Sequence, residues 1–272
     1  MISRSRKVEH FRALHASGCF LVPNPWDVAG ARMMTGLGFK ALATTSSGYA
    51  FSKGKKDGAN DVGRDESLAY AAEIAASTTL PVTADLEDCY ADTPEGVAET
   101  VRLAAEAGLA GVSIEDRNPN AGPPIRNFDD AVARVAAAAE AARRHDIVLT
   151  ARADGIVKQA YDVDEAIRRL RAFEALGAEV LYPPDVPDLA SLGRICSSVR
   201  APVNHVLGQG VSGLNFEQIA QAGVRRISLG GSLARAAGGA LLAICRDIAT
   251  GNYAALEGAP AWNSLRDPAP AI

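Results

Sequence analysis

Short apolar runs rich in β-branched residues recur along the chain, each followed by polar or glycine residues and then by a longer stretch with helical spacing of apolar positions. Eight runs fit this description, at positions 20–23, 41–44, 81–84, 111–114, 147–151, 180–182, 202–206 and 226–229. Their starts lie roughly 20 to 40 residues apart, the length that a strand, a loop and a crossover helix require. The helical stretches have recognisable ends. Thr93 is an N-cap, Pro94 takes the first helical position, Glu95 is an early acid, and the pattern runs through Val97, Val101 and Ala104 to stop at Gly108. Asp164 and Glu165 open another helix that closes at Gly177. Three helices end alike, as Ala107-Gly108, Leu176-Gly177 and Ala222-Gly223, with a strand starting within a few residues. This weak internal repeat is explained by glycine supplying a left-handed cap that turns the chain into the next strand.

Eight strands alternating with helices over about 250 residues predict an α/β fold of the (β/α)8 TIM-barrel type. A doubly wound open sheet would place a Gly-x-Gly-x-x-Gly turn after the first strand. Here that strand leads into Pro23-Asn24-Pro25-Trp26-Asp27, which favours the barrel. The expected organisation is one barrel domain over residues 1–272. An extra helix at 5–17 precedes it, and a helix at 231–248 leads into a tail carrying Tyr253 and Trp262 that could pack on a neighbouring subunit.

Composition narrows the function. With 28 Lys+Arg against 32 Asp+Glu, the net charge of −4 argues against nucleic acid as a general partner, which needs a concentrated basic face. The longest apolar run, 236–245, is far shorter than the roughly 20 residues of a bilayer span, so no membrane partner is expected. The N-terminal stretch carries Arg4, Arg6, Lys7 and Glu9 and lacks an apolar signal core, so a cytoplasmic location is expected. Cys19, Cys89, Cys196 and Cys245 are too widely spaced for a zinc pair, and a chain of this size does not need disulfides.

In barrels the reacting groups sit at the C-terminal ends of the strands. Strand three ends in Asp85-Leu86-Glu87-Asp88, strand four in Glu115-Asp116 and strand five in Arg152-Ala153-Asp154; Asp57 follows strand two. Carboxylates converging from adjacent strands repel unless a cation or protons intervene. An all-oxygen ligand set points to Mg²⁺, with Mn²⁺ as an alternative, rather than Zn²⁺. Arg152 is suited to bidentate capture of a substrate carboxylate, and the Thr45-Ser46-Ser47-Gly48 loop to a second carboxylate or an enolate oxygen. Asp88, Asp116 and Asp154 have an equally good reading as caps or surface residues. His205, near the end of strand seven, reads either as an acid/base and substrate-binding group or as a core histidine. The glycine turns at 207–210 and 229–232 match where many barrels bind phosphate, which makes a phosphate-bearing sugar the chief rival substrate. A Schiff-base aldolase is excluded, because Lys7, Lys40, Lys53, Lys55, Lys56 and Lys158 all lie away from the C-terminal ends of the predicted strands.

These motifs, Thr44-Thr45-Ser46-Ser47-Gly48, Ala84-Asp85-Leu86-Glu87, Ile114-Glu115-Asp116, Thr150-Ala151-Arg152-Ala153-Asp154 and Arg226-Ile227-Ser228-Leu229-Gly230-Gly231, resemble the isocitrate lyase/phosphoenolpyruvate mutase superfamily over nearly the whole chain. The resemblance implies a Mg²⁺-dependent barrel whose last helix is exchanged between subunits of a homodimer or homotetramer. It implies that Asp85 ligates the metal directly, that Glu87 and Glu115 hold metal-bound waters and that Asp57 lies near them. It also implies that Arg152 binds a substrate carboxylate and that Thr45 to Gly48 bind the 2-oxo end. Asp57, Asp85 and Arg152 are then the expected catalytic residues.

Departures from the superfamily pattern narrow the reaction. The Cys-containing loop that follows Ile-Glu-Asp in isocitrate and methylisocitrate lyases is here Arg117-Asn118-Pro119-Asn120-Ala121-Gly122-Pro123-Pro124, with no Cys, Lys or His. Where those lyases carry a glutamate after strand six, this chain has Tyr182-Pro183-Pro184. The Lys-x-Asn-Ser gating loop of the mutases is also not evident, and Asn118 and Asn120 are weak substitutes. The expectation is a Mg²⁺-dependent lyase of small 2-oxo or 2-hydroxy acids that cleaves or decarboxylates through an enolate. The alternatives are P–C chemistry of the phosphonopyruvate hydrolase or phosphoenolpyruvate mutase type, and a small-acid binder without turnover.

Overall fold

The computed structural model describes residues 2–119, 122–208 and 213–268. Eight parallel strands follow in order: β1 (Phe20–Val22), β2 (Leu42–Ala43), β3 (Val82–Asp85), β4 (Gly111–Glu115), β5 (Val148–Arg152), β6 (Val180–Tyr182), β7 (Asn204–Val206) and β8 (Arg226–Ser228). They are the eight expected, and no boundary moves by more than two residues. Strands β2 to β6 form one sheet, and β7, β8 and β1 a second. Both seams are bridged, by Ala43 N–H to the Pro23 carbonyl at 3.0 Å and by Leu181 N–H to the Pro202 carbonyl at 2.9 Å. The result is a TIM-like circuit in which each strand neighbours the next.

Strand alternation sends Val112, Ile114, Leu149, Ala151 and Leu181 outward into a core shared with the surrounding helices, where Val135, Ala138, Leu170 and Phe173 meet them. A second cluster joins Val8 and Phe11 of the N-terminal helix Arg4–Ala16 to Val22, Ala41, Val148 and Val180. That helix therefore closes one end of the strand circuit with apolar side chains. The helix caps are those expected: Thr93 accepts from Gly96 N–H at 3.2 Å with Pro94 in the first turn, and Gly177 adopts φ 102° to turn the chain into β6.

The helix Ser232–Ala249 behaves differently. Of its eighteen residues only Ala234 is buried, while Leu241 and Leu242 are 64% and 51% exposed. Trp262, in the tail, is 85% exposed. No helix among the described residues is long and apolar enough to cross a membrane, and the four cysteines are free.

Candidate active site

The C-terminal ends of the strands enclose a cavity of ≈ 120 Å³. Asp85 reaches it from the end of β3, Glu115 from β4 and Arg152 from β5; β3 and β4 pair Asp85 with Ser113, and β4 and β5 pair Glu115 with Arg152. This register carries the two acids and the guanidinium to one place. Arg152 Nη1 lies 2.8 Å from Glu115 Oε1 and 3.2 Å from Asp85 Oδ1. Ser46 completes the grip on Asp85, donating to Oδ2 from its N–H at 3.2 Å and from its hydroxyl at 2.9 Å. The Tyr182 ring lies against the Arg152 guanidinium at 4.6 Å.

The segment expected to be a Ser-Ser-Gly loop is instead the first turn of a short helix, Ser46–Ser52, with Thr45 as N-cap. Serine and glycine are weak helix formers. The turn is held by the Thr45 hydroxyl accepting from Gly48 N–H at 3.2 Å, and by Tyr49 stacking on buried Tyr70 at 4.0 Å between ring centres. Thr45, Ser46 and Ser47 line the cavity, but Gly48 does not. Its amide is taken by the cap, and a Cβ there would meet Thr45 Cγ2 at 2.7 Å and Ala234 at 3.2 Å. Gly48 is thus required for packing at this turn.

Of its two readings, His205 takes the core one and not the substrate-binding one. It lies between Asn204 and Val206, which line the cavity, so strand alternation turns it to the opposite face. It is fully buried, and neither ring nitrogen has a hydrogen-bond partner among the described residues. Arg152 is itself gripped at two points by Asp154, Nε to Oδ1 at 3.1 Å and Nη2 to Oδ2 at 2.8 Å, which turns its Nη1 end toward the cavity acids.

Asp88 and Asp116 have structural roles. Asp116 accepts from Asp154 N–H at 2.7 Å, Tyr161 hydroxyl at 2.8 Å and Arg169 at 3.0 Å, which fixes the segment that holds Arg152. Asp88 pairs with Arg126 at 3.1 Å in the loop after β3. In this loop Glu87, Cys89 and Tyr90 adopt φ of 48°, 63° and 50°, each costing on the order of 1–3 kcal/mol for a side chain other than glycine. Buried Arg134 holds the strained loop in place, donating to the carbonyls of Asp88 at 2.6 Å and Ala91 at 2.7 Å. Glu87 itself is buried beside the Tyr90 hydroxyl at 3.4 Å.

The acids crowd one another. Burial, with Asp57 and Asp85 nearby, pushes the Glu87 carboxyl up to about 8. Burial raises Glu115 well above its ordinary value, with the Arg152 charge opposing the rise. Partial loss of water and the Asp85 charge raise Asp57 at the rim. Arg117, unrecognised as a site residue in the sequence, also lines the cavity and lies 3.4 Å from Glu115 Oε2. Among the described residues no three acidic, His or Cys side chains converge closely enough to hold an ion alone. The carboxylates that line the cavity, Asp57, Asp85 and Glu115, offer only oxygen donors, and Glu87 does not itself line it. A hard divalent cation coordinated partly through water fits that donor set.

Residues 11–249 match the model of the family described as phosphoenolpyruvate phosphomutase. The chain belongs to the phosphoenolpyruvate phosphomutase family. A crystal structure of a candidate lyase/mutase from Burkholderia cenocepacia is 42% identical and covers 99% of each chain at a TM-score of 0.93. An uncharacterised protein of Mycobacterium tuberculosis is 32% identical over 222 residues, 81% of each chain. An oxaloacetate decarboxylase of Ectopseudomonas mendocina is 30% identical over 224 residues, 79% of this chain and 75% of its own.

In this member of the phosphoenolpyruvate phosphomutase family, Arg117 bridges Ile125 after β4, and Asn118 N–H donates to the Pro124 carbonyl at 2.9 Å. Asn120, and Gln209 and Gly210 after β7, lie outside the described residues. No Cys, His or Lys among the described residues lines the cavity. Besides Arg117, the cavity contains Asn204 and Arg226, which the sequence reading left unassigned.

Proposed function

We propose that this protein is a Mg²⁺-dependent lyase that cleaves or decarboxylates short 2-oxo or 2-hydroxy carboxylic acids through an enolate. The observation that carries this reading is the meeting of Asp85, Glu115 and Arg152 Nη1 within 3.2 Å, beside the Ser46 hydroxyl. Asp85 would hold the ion directly, with Glu87 and Glu115 acting through water. When bound, Mg²⁺ supplies Lewis-acid stabilisation of negative charge developing on the oxygen next to the reacting carbon.

The chain's own groups do the rest. As the C–C bond breaks, its electron pair moves toward the 2-oxo oxygen, and the Ser46 and Ser47 hydroxyls and Arg152 Nη1 are the donors placed to receive that charge. Asp154 keeps Arg152 from swinging away. Asp57, on the exposed rim, is the carboxyl placed to exchange a proton with water. The oxaloacetate decarboxylase relative supports decarboxylation of a 2-oxo diacid as the first reaction to test. The family description supports a second reading, P–C chemistry on a phosphonate analogue.

The exposed apolar face of helix Ser232–Ala249 supports exchange of this helix between subunits of a homodimer or homotetramer. Calorimetry with oxalate, a planar dianion shaped like the enolate of pyruvate, tests the site. The reading expects tight binding with Mg²⁺ that is lost on addition of EDTA and in Arg152→Ala. Binding indifferent to both would refute it.

A further inference from the structure

Cleavage to an enolate is half of a lyase reaction, because the carbon that loses its bond must then take up a proton. The cavity is poor in groups able to give one. Asp85 and Glu115 are the acids that face the ion, and Asp57 stands on the rim. The Ser46 hydroxyl is committed to Asp85 Oδ2 at 2.9 Å, and those of Thr45 and Ser47 to each other at 3.1 Å. Asn24 and Asn204 carry amides, which are not acids at neutral pH. The one phenol among the described residues lining the cavity is Tyr182.

Tyr182 is the last residue of β6 and pairs in register with Arg152 at the end of β5. Its carbonyl accepts from Ala153 N–H at 3.0 Å, and Pro183 after it confines its backbone to the extended region. Strand alternation sends Leu181 to the outer core and turns Tyr182 into the cavity, where its ring lies 4.6 Å from the Arg152 guanidinium. Tyr70, Tyr90 and Tyr161 spend their hydroxyls inside the protein, on the Pro25 carbonyl at 3.1 Å, Ser67 at 3.1 Å and Asp116 at 2.8 Å. The Tyr182 hydroxyl has no hydrogen-bond partner among the described residues, yet it is not sealed off as the His205 ring nitrogens are. An uncommitted donor in a polar cavity is a group that awaits a partner. Burial raises the phenol above its ordinary value, with the Arg152 charge opposing the rise. Tyr182 therefore keeps its proton at neutral pH, and a phenolate formed there lies beside a guanidinium.

We propose that Tyr182 is the proton donor of the reaction, its Oη–H protonating the enolate carbon while the 2-oxo end lies at Ser46, Ser47 and Arg152 Nη1. This assignment rests on the reading under Proposed function and adds a catalytic acid to it. In a decarboxylation the C–C bond breaks with loss of carbon dioxide, and its electron pair becomes the enolate. A C–H bond then forms as the Tyr182 O–H bond breaks, and the phenolate beside Arg152 takes back a proton from water. A phenol is a stronger acid than the C–H next to a 2-oxo group, so the transfer to carbon runs downhill.

The test is proton NMR of pyruvate in deuterium oxide with the Mg²⁺-loaded full chain, since the proton step run backwards exchanges the methyl hydrogens for deuterium. Calorimetry with oxalate on the same samples reports whether the site is intact. The wild type is expected to exchange the methyl above the rate with Mg²⁺ alone. Tyr182→Phe keeps the ring on Arg152 and orphans no partner. It should exchange at least about 10²-fold more slowly, the scale of a general acid, with unchanged oxalate affinity. 2-Oxobutyrate supplies a measurement that needs no variant. The carbon next to its carbonyl carries a pair of hydrogens, and a donor fixed on one side of the enolate should replace a single one. Exchange in Tyr182→Phe at the wild-type rate, or replacement of both hydrogens of 2-oxobutyrate, would overturn the assignment. So would parallel loss of exchange and oxalate binding in the variant, or a wild type that binds oxalate without exchanging pyruvate. Each of these leaves the Proposed function standing. A wild type that does not bind oxalate would overturn the functional reading itself, and this assignment with it.

Discussion

Asp154 grips Arg152 at two points, Oδ1 to Nε at 3.1 Å and Oδ2 to Nη2 at 2.8 Å, and so aims the remaining Nη1 at Asp85 and Glu115. Asp154 is itself held by its backbone N–H on Asp116. Asp154→Asn removes the charge and one of the two acceptors, leaving Arg152 free to rotate. A misplacement on the order of 1 Å costs roughly 10²-fold in rate. The expected outcome is a fall of about 10²-fold in kcat for oxaloacetate with Mg²⁺, while circular dichroism at 25 °C stays unchanged. A variant of undiminished kcat would show that Asp154 does not position Arg152.

The loop that carries Glu87 depends on a residue far from it in sequence. Arg134 spans the carbonyls of Asp88 and Ala91 and lies 3.6 Å from Asp88 Oδ2. Arg134→Met retains the apolar stem but leaves two carbonyls without their donor and removes one of the two guanidinium groups beside the buried Asp88 carboxylate. Urea unfolding should show a loss of about 3 kcal/mol, the scale of breaking one side of a buried ion pair. A change under 1 kcal/mol would mean that the loop is held by other contacts.

His15 makes folding stability sensitive to acid. Its ring is packed edge-on between Phe11 and Phe20, Nδ1 bonds the Phe11 carbonyl at 2.7 Å, and Nε2 is buried without a partner. Burial, with the Arg226 charge, drives its value down to about 3 from an ordinary 6.5. Because the unfolded chain takes the proton first, stability is full above about 6.5 and is lost as the pH falls from there toward 3. His15→Gln should remove up to about 1.4 kcal/mol per pH unit from the slope between pH 6 and 4. Urea midpoints at pH 7, 6, 5 and 4.5 measure this, and parallel wild-type and variant curves would contradict it.

The outward face of helix Ser232–Ala249 leads to a prediction about assembly. Leu241 and Leu242 are exposed, and Phe51 and Gly238 flank the same groove. Leu241→Lys with Leu242→Lys should convert an oligomer to monomer in light scattering while the far-ultraviolet spectrum is retained. A mutant of wild-type mass would remove this helix from the interface.

The strand order was legible in the sequence because buried parallel strands read as apolar β-branched runs, and glycines at 108, 177 and 223 mark where three of the helices end. The site was legible where parity and strand ends coincide, as at Asp85, Glu115 and Arg152. It was left open at His205, because a five-residue run with Pro202 at its start does not reveal which face each residue takes. The helix at Ser46–Ser52 was not legible because a seven-residue helix opening with Ser, Ser and Gly is held by the Thr45 cap and the Tyr49–Tyr70 stack, not by propensity. Glu87 owes its place to left-handed backbone that Arg134 enforces from a distant helix, a contact without local signature. Arg226 did leave a signal, a charged residue opening an otherwise ordinary barrel strand, but its neutral partners come from β5 and β7 and only the fold brings them together.

Metal-dependent breakdown of a short 2-oxo acid at Asp85 is tested most directly by proton NMR of the purified protein with oxaloacetate and Mg²⁺, alongside EDTA and Asp85→Ala controls, with phosphonopyruvate as a parallel substrate. Pyruvate is expected to form from oxaloacetate above the Mg²⁺ background and to be abolished in both controls. Oxaloacetate loss at the background rate in all three samples, with Mg²⁺ shown to bind, would contradict it.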